Sequence, residues 1–214
     1  MGERVPDTAA EAFDALGADY ERVFADIPAR DEALSWLTAR LPARARVLDA
    51  GCGTGRPAAA ALAAAGCEVT GIDVSSTMLS LARGRVPGAR FEQADVRDFE
   101  PPAGGYDAVV AFFSLLQMGR SELGAVLSRI AGWLVPGGYF VMMTVPGDFE
   151  ELQVDFMGRR IVVTSWTEED WVRRLREAGL EVVRSGTSVH VPAEGMTEEH
   201  LTCFARRPAG TPAD

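Results

Sequence analysis

Three acidic residues stand at the ends of three successive apolar runs. Asp49 closes Arg46-Val-Leu-Asp49, Asp73 closes Gly71-Ile-Asp73, and Asp95 follows Gln93-Ala94. After the first comes Gly51-Cys-Gly53-Thr-Gly55, then Arg56, Pro57 and an Ala-rich stretch. Glycines so spaced permit a tight strand-to-helix turn and let a ligand lie against bare backbone, near a helix N-terminus that favours carboxylate or phosphate. A dinucleotide site is written G-x-G-x-x-G, whereas here the third glycine comes one residue early and Arg56 takes the later place. Asp49 beside that turn would repel a pyrophosphate and suits a ligand carrying positive charge. Asp73 can accept from both ribose hydroxyls. Asp95 can accept from an adenine amino group while the Val96 amide faces a ring nitrogen. The set fits a ligand with adenosine at one end and an ammonium-bearing group at the other.

Such residues meet only if the chain brings successive strand ends to one edge. Residues 47–48, 68–72, 90–94, 108–112 and 139–144 are strand candidates, and 57–65, 75–85 and 121–134 have helical spacing. Pro57 suits a first helical turn, Gly66 a C-terminal cap, and Ser75 or Ser76 an N-cap. This alternation implies right-handed βαβ units and a mainly parallel sheet covered on both faces. The last third changes character. Residues 151–166 read as a hairpin about Met157-Gly158, Thr167 caps a helix that stops at Gly179, and the runs 180–191 and 201–206 are placed to pair antiparallel.

Val47-Leu-Asp-Ala-Gly-Cys-Gly-Thr-Gly55, Gly71-Ile-Asp-Val-Ser75, Ala94-Asp-Val96, Tyr106-Asp-Ala-Val-Val110 and Leu134-Val-Pro-Gly-Gly138 closely resemble the motifs of class I S-adenosylmethionine-dependent methyltransferases, in order and spacing. The resemblance implies an α/β fold, a three-layer αβα sandwich around a seven-stranded, mostly parallel sheet with one antiparallel strand. It implies S-adenosylmethionine as cofactor and S-adenosylhomocysteine as product. Carried over by position, Gly51, Cys52 and Gly53 belong to the methionyl side, Asp49 lies near the ammonium and Thr54 near the carboxylate. Asp73 holds the ribose, Val74 and Met78 flank the adenine, Asp95 and Val96 read its edge, and Ala111 and Phe112 line the methionine side. The segment Phe13 to Tyr20 resembles the family's N-terminal cover, with Tyr20 keeping the hydroxyl and Phe13 standing where a second Tyr is expected. The Cys52 thiol is expected to pack rather than react.

On this reading residues 1–207 form a single methyltransferase domain. Residues 1–42 are a helical cover, 148–166 an inserted hairpin serving as a lid, and 208–214 a disordered tail. The formal net charge of −10 and the scattered Arg residues argue against a nucleic-acid surface. Three cysteines without close pairing, no apolar signal core and no membrane-length apolar run suggest a cytoplasmic protein. No metal site is expected, and the oligomeric state is open.

For catalysis, a sulfonium already makes the methyl easy to transfer, so alignment and water exclusion carry much of the work. His190 is the candidate base or substrate contact, with His200 on the same sheet edge as a second. Gln117 stands where the family often has His, which removes one plausible base. No Asn/Asp-Pro-Pro-Tyr/Phe follows the fourth strand and no Pro-Cys nucleophile is present, so nucleic-acid base methylation is disfavoured. The expected activity is methyl transfer to N, O or C of a small organic molecule, in specialised metabolism. A non-methylating cyclisation or rearrangement by the same fold, or a non-catalytic cofactor-sensing partner, are the alternatives.

Overall fold

The computed structural model describes residues 6–24, 26–193 and 196–210. Its first strands and helices alternate as β1 (Arg46–Ala50), α4 (Ala58–Ala64), β2 (Glu68–Asp73), α5 (Ser76–Arg85) and β3 (Arg90–Gln93). Then follow β4 (Tyr106–Phe112), α6 (Arg120–Trp133) and β5 (Leu134–Thr144). Three helices, α1 (Ala9–Leu16), α2 (Ala18–Val23) and α3 (Pro28–Thr38), precede this series. The hairpin β6 (Phe149–Phe156) and β7 (Arg159–Ser165) leads to α7 (Glu168–Glu177) and the long pair β8 (Glu181–Ala193) and β9 (Met196–Arg206).

Seven of these strands form one sheet in the order β3-β2-β1-β4-β5-β9-β8. All run parallel except β9, which is antiparallel to both neighbours. The order reverses between β1 and β4, so a crevice opens where their C-terminal ends diverge. The fold expected from the motifs is the fold observed.

Alternation along the central strands divides the core. Leu48, Val109, Ala111, Phe140 and Met142 face a cluster that includes Leu123, Leu127, Trp133 and Trp171 of α6 and α7. Val47, Ala108, Val110 and Val141 face Leu34, Leu37, Ala59 and Leu62 of α3 and α4. The period of two thus sends alternate residues into opposite helical layers. The β5 strand begins earlier than the apolar run suggests, because Pro136-Gly137-Gly138 is carried inside it at a register irregularity opposite Tyr106 and Ala108. Ser75 is the N-cap of α5 and accepts from the Met78 amide.

The hairpin forms a separate two-stranded sheet, closed by Met157 and Gly158 at φ of +53° and +77°. Two positive φ values match the handedness that tight hairpins require. It is anchored by the Thr164 amide, which donates to the Leu116 carbonyl at 2.7 Å, and by an Arg159–Asp7 ion pair at 2.9 Å. Of the tail expected at 208–214, residues 211–214 lie outside the described residues, as do residues 1–5 at the other end. No helix among the described residues is long and apolar enough to cross a membrane.

Candidate active site

The glycine turn is built by the strands beneath it. The Gly51 and Cys52 amides both donate to the Ile72 carbonyl, at 2.8 and 2.9 Å, folding the turn back over β2. Gly51 sits at φ +79°, and a Cβ there would lie 2.1 Å from the Ser114 Cβ. Only glycine allows both the conformation and the approach of the β4 end. Asp73 ties the parts together: Oδ2 accepts from the Gly53 amide at 2.8 Å and Oδ1 from the Ser75 amide at 2.9 Å.

Asp49 is buried beneath this turn, 1% exposed, and its Oδ2 has no hydrogen-bond partner among the described residues. Burial, then the neighbouring charge of Asp73, push its carboxyl up to about 7, opposed by the Ala59 amide. An orphaned carboxylate is costly unless something positive pairs with it. Asp73 is also raised, chiefly by burial, although its backbone hydrogen bonds pull the other way.

A cavity opens over the turn. Of the residues singled out in the sequence, Tyr20, Gly51, Gly53, Asp73, Val74, Met78, Asp95, Val96 and Phe112 line it. Asp49 lies buried beneath the turn rather than in the cavity wall, and Cys52, Thr54 and Ala111 do not line it either, each for a physical reason. The Thr54 hydroxyl turns away to donate to Glu21 Oε2 at 2.8 Å, and Glu21 also pairs with Arg85. Cys52 is buried with its thiol pushed up by burial, so it packs. Ala111 faces the α6 layer because its neighbour Phe112 takes the cavity side of β4. Asp95 lines the wall with both oxygens engaged by the Arg97 guanidinium, Nε–Oδ1 at 3.0 Å and Nη2–Oδ2 at 2.7 Å. Those bonds hold its carboxyl below the usual range, and an adenine amino group would share it with Arg97.

A second cavity of about 300 Å³ adjoins the first. Its walls are almost wholly apolar, from Phe24, Leu116 and Val145 to the hairpin residues Phe149, Val154 and Phe156. Phe13, Tyr20, Phe113 and Gln117 line both cavities and so mark their junction. Phe113 holds φ +58°, rare for a bulky residue, with its amide bound to the Met143 carbonyl at 2.8 Å. Sequence reading missed Phe113, because nothing in two adjacent phenylalanines shows that the second turns out of the strand. Burial pushes the Tyr20 phenol up to about 12, with Asp73 and Glu198 adding and Arg30 opposing. Tyr20 is therefore a hydrogen-bond donor at neutral pH rather than a base.

The expected base, His190, lines neither cavity. It stacks on His200, ring centroids 5.1 Å apart, and its basicity is lowered first by burial and then by that imidazole. His200 lines the apolar cavity instead, 1% exposed, against the Phe113 ring at 4.5 Å. Both histidines occupy the expected edge, but β8 is the outer strand, and only β9 borders the chamber.

Residues 47–138 match the sequence model of a methyltransferase domain. The chain is 32% identical over 188 residues to dTDP-3-amino-3,4,6-trideoxy-alpha-D-glucopyranose N,N-dimethyltransferase of Streptomyces venezuelae, covering 87% of this chain and 70% of that enzyme. Three further methyltransferase relatives are matched over 40–51% of their lengths. Among solved structures, the [4+2]-cyclase SpnF superposes with a TM-score of 0.73 over 98% of this chain and 99% of that one, at 21% identity. Magnesium protoporphyrin IX methyltransferase from Synechocystis PCC 6803 with bound SAH gives 0.71 over 92% and 97%, also at 21% identity. At that identity both likenesses speak for the fold alone, so the cyclase lends no weight to a non-methylating reaction.

A doubly wound sheet with a glycine turn and acids at its strand tips defines the class I methyltransferase architecture. This chain belongs to the S-adenosylmethionine-dependent methyltransferases, and its cofactor is S-adenosylmethionine. The unpaired Asp49 oxygen and the bare Gly51 backbone fit that molecule's charged amino-acid end.

Proposed function

We propose that the chain transfers the methyl group of S-adenosylmethionine to a small organic acceptor held in the apolar cavity. The observation that carries this reading is the shared wall. Four residues, Phe13, Tyr20, Phe113 and Gln117, border both an acid-and-glycine cavity and an apolar one. A methyl at that junction is within reach of an acceptor on the other side. The cofactor supplies a methyl on a sulfonium, a good leaving group, so the chain's own residues chiefly align and exclude water.

In this reading Asp49 pairs with the ammonium, Asp73 holds the ribose, Val74 and Met78 sandwich the adenine, and Asp95 with Val96 reads its edge. Gly51 and Gly53 offer backbone to the methionyl part, and Phe112 packs beside it. Tyr20 donates its hydroxyl at the junction. Residues 1–207 act as one domain, with 1–42 as cover and 148–166 as lid. Support for the cover comes from the rings of Phe13, Tyr20, Phe24 and Phe156, whose centroids lie 5.1–6.5 Å apart and join α1 and α2 to the hairpin. Such a closed aromatic roof keeps water from the reacting atoms. Free Cys52, Cys67 and Cys203 favour a reducing, cytoplasmic setting, and the acidic balance favours a small acceptor over nucleic acid.

The test is incubation with methyl-labelled S-adenosylmethionine and a panel of apolar amines and hydroxyl compounds, read by mass spectrometry. Release of S-adenosylhomocysteine with one methylene unit gained by an acceptor is the expected result. Tight cofactor binding with an isomer of unchanged mass would instead favour the rearrangement reading.

A further inference from the structure

The apolar cavity has one charged corner among the described residues, and its charge is one-sided. Glu198 is the sole formally charged residue among the described residues that line it, and none of them is Lys or Arg. Arg30 lies near enough to influence Tyr20, yet it does not line the cavity and gives its Nη1 to the Phe24 carbonyl at 3.0 Å. Beside Glu198 stands His200, whose two ring nitrogens make no hydrogen bond among the described residues although the residue is 1% exposed. The Glu198 Oε2 is 3.6 Å from His200 Nε2, too far for a direct bond. A buried imidazole with neither nitrogen satisfied calls for a partner that the described residues do not supply. Apart from the Gln117 amide and the Tyr20 hydroxyl at the junction, the remaining walls are hydrocarbon and aromatic rings, including Phe24, Phe113 and Phe156.

We infer that the acceptor is an apolar molecule bearing a basic amine, its nitrogen seated between the Glu198 carboxylate and the His200 imidazole. The inference rests on the reading of this cavity as the acceptor chamber. An amine N–H satisfies the acceptor lone pair of a neutral imidazole, and its ammonium form gains the carboxylate and the faces of the surrounding rings. A carboxylate or phosphate acceptor would meet Glu198 with no Lys or Arg among the described lining residues to offset it, and like charges so placed repel. Polar acids are thereby excluded by charge and apolar amines admitted.

The test uses three probes of one shape, 2-naphthylmethylamine, 2-naphthylmethanol and 2-naphthoate, titrated by calorimetry into protein saturated with S-adenosylhomocysteine. The amine is expected to bind at least about tenfold more tightly than the carboxylate, given the cost of like-charge juxtaposition. Glu198→Gln should erase the amine's advantage over the alcohol while S-adenosylhomocysteine still binds. The Glu198 side chain is 33% exposed, so this variant is expected to fold, and a melting curve checks it. Equal binding of amine and carboxylate, or an unchanged amine-to-alcohol ratio in Glu198→Gln, would overturn the inference alone. Failure of S-adenosylhomocysteine to bind, or of every probe to enter, would overturn the functional reading and this inference with it.

Discussion

Cofactor binding should release a proton from Asp49, and the size of that release follows from the structure. The unfolded carboxyl titrates near 3.8, whereas burial and Asp73 raise it to about 7 in the folded chain. A raised carboxyl favours the protonated fold. That stabilisation is complete below pH 4 and is lost as pH rises through 7, amounting to about 4 kcal/mol over the interval. The free protein should therefore melt at a lower temperature at pH 8 than at pH 5. An ammonium placed against Asp49 reverses the preference and ionises it. At pH 6 binding then releases about 0.9 proton and at pH 8 about 0.1, from the ratio of forms on either side of a pKa near 7. Titration of S-adenosylhomocysteine at pH 6 in two buffers of different ionisation enthalpy reads the release directly. Asp49→Asn should abolish it, raise the melting temperature at pH 8, and weaken binding by about 3 kcal/mol, roughly 150-fold, through loss of a buried charge partner. Buffer-independent heats in the unsubstituted protein at pH 6 would refute the reasoning, because the carboxylate would then be ionised before the ligand arrived.

Three further outcomes follow from contacts described above. Gly51→Ala sets a Cβ against Ser114 at a positive φ. The conformation alone costs about 1–2 kcal/mol, so both melting temperature and S-adenosylhomocysteine binding should fall, the latter below detection by calorimetry. Trp171→Phe removes the buried Nε1 donor to Ser165 Oγ at 3.0 Å. It should lower stability by about 1–3 kcal/mol and the melting point by several degrees, measured by calorimetric melting. Tyr20→Phe keeps the aromatic roof but removes the junction hydroxyl. Turnover should fall while S-adenosylhomocysteine affinity changes little, and the unsubstituted enzyme's rate profile should show no phenol limb below about pH 10.

The strand-tip acids were legible because short βα turns leave little freedom. Once β1 and β2 are placed by their apolar residues, Asp73 faces the crevice and Asp49 lies buried directly beneath the glycine turn. The same logic misplaced Ala111 and Phe112 as a pair, although a period of two separates them: one meets α6, the other the cofactor cavity. Thr54 was beyond local reasoning, since its hydroxyl answers to Glu21, 33 residues earlier in the chain. His190 and His200 differ for a similar reason. Register sets His190 opposite Glu198 and His200 opposite Ser188, but which ring borders a chamber depends on Phe113 and the hairpin packed across the sheet edge. Asp95 stands at the cavity wall, and its partner Arg97, two residues on, carries no signal in the sequence pattern.

The β6–β7 hairpin lends Phe149, Leu152, Val154, Phe156, Ile161 and Val163 to the walls of the second chamber yet pairs with no strand of the main sheet. Its side chains can therefore be exchanged without disturbing the register that presents Asp49 and Asp73. Natural drift or laboratory selection confined to this appendage should change which compounds are modified long before it erodes the ability to hold the methyl donor.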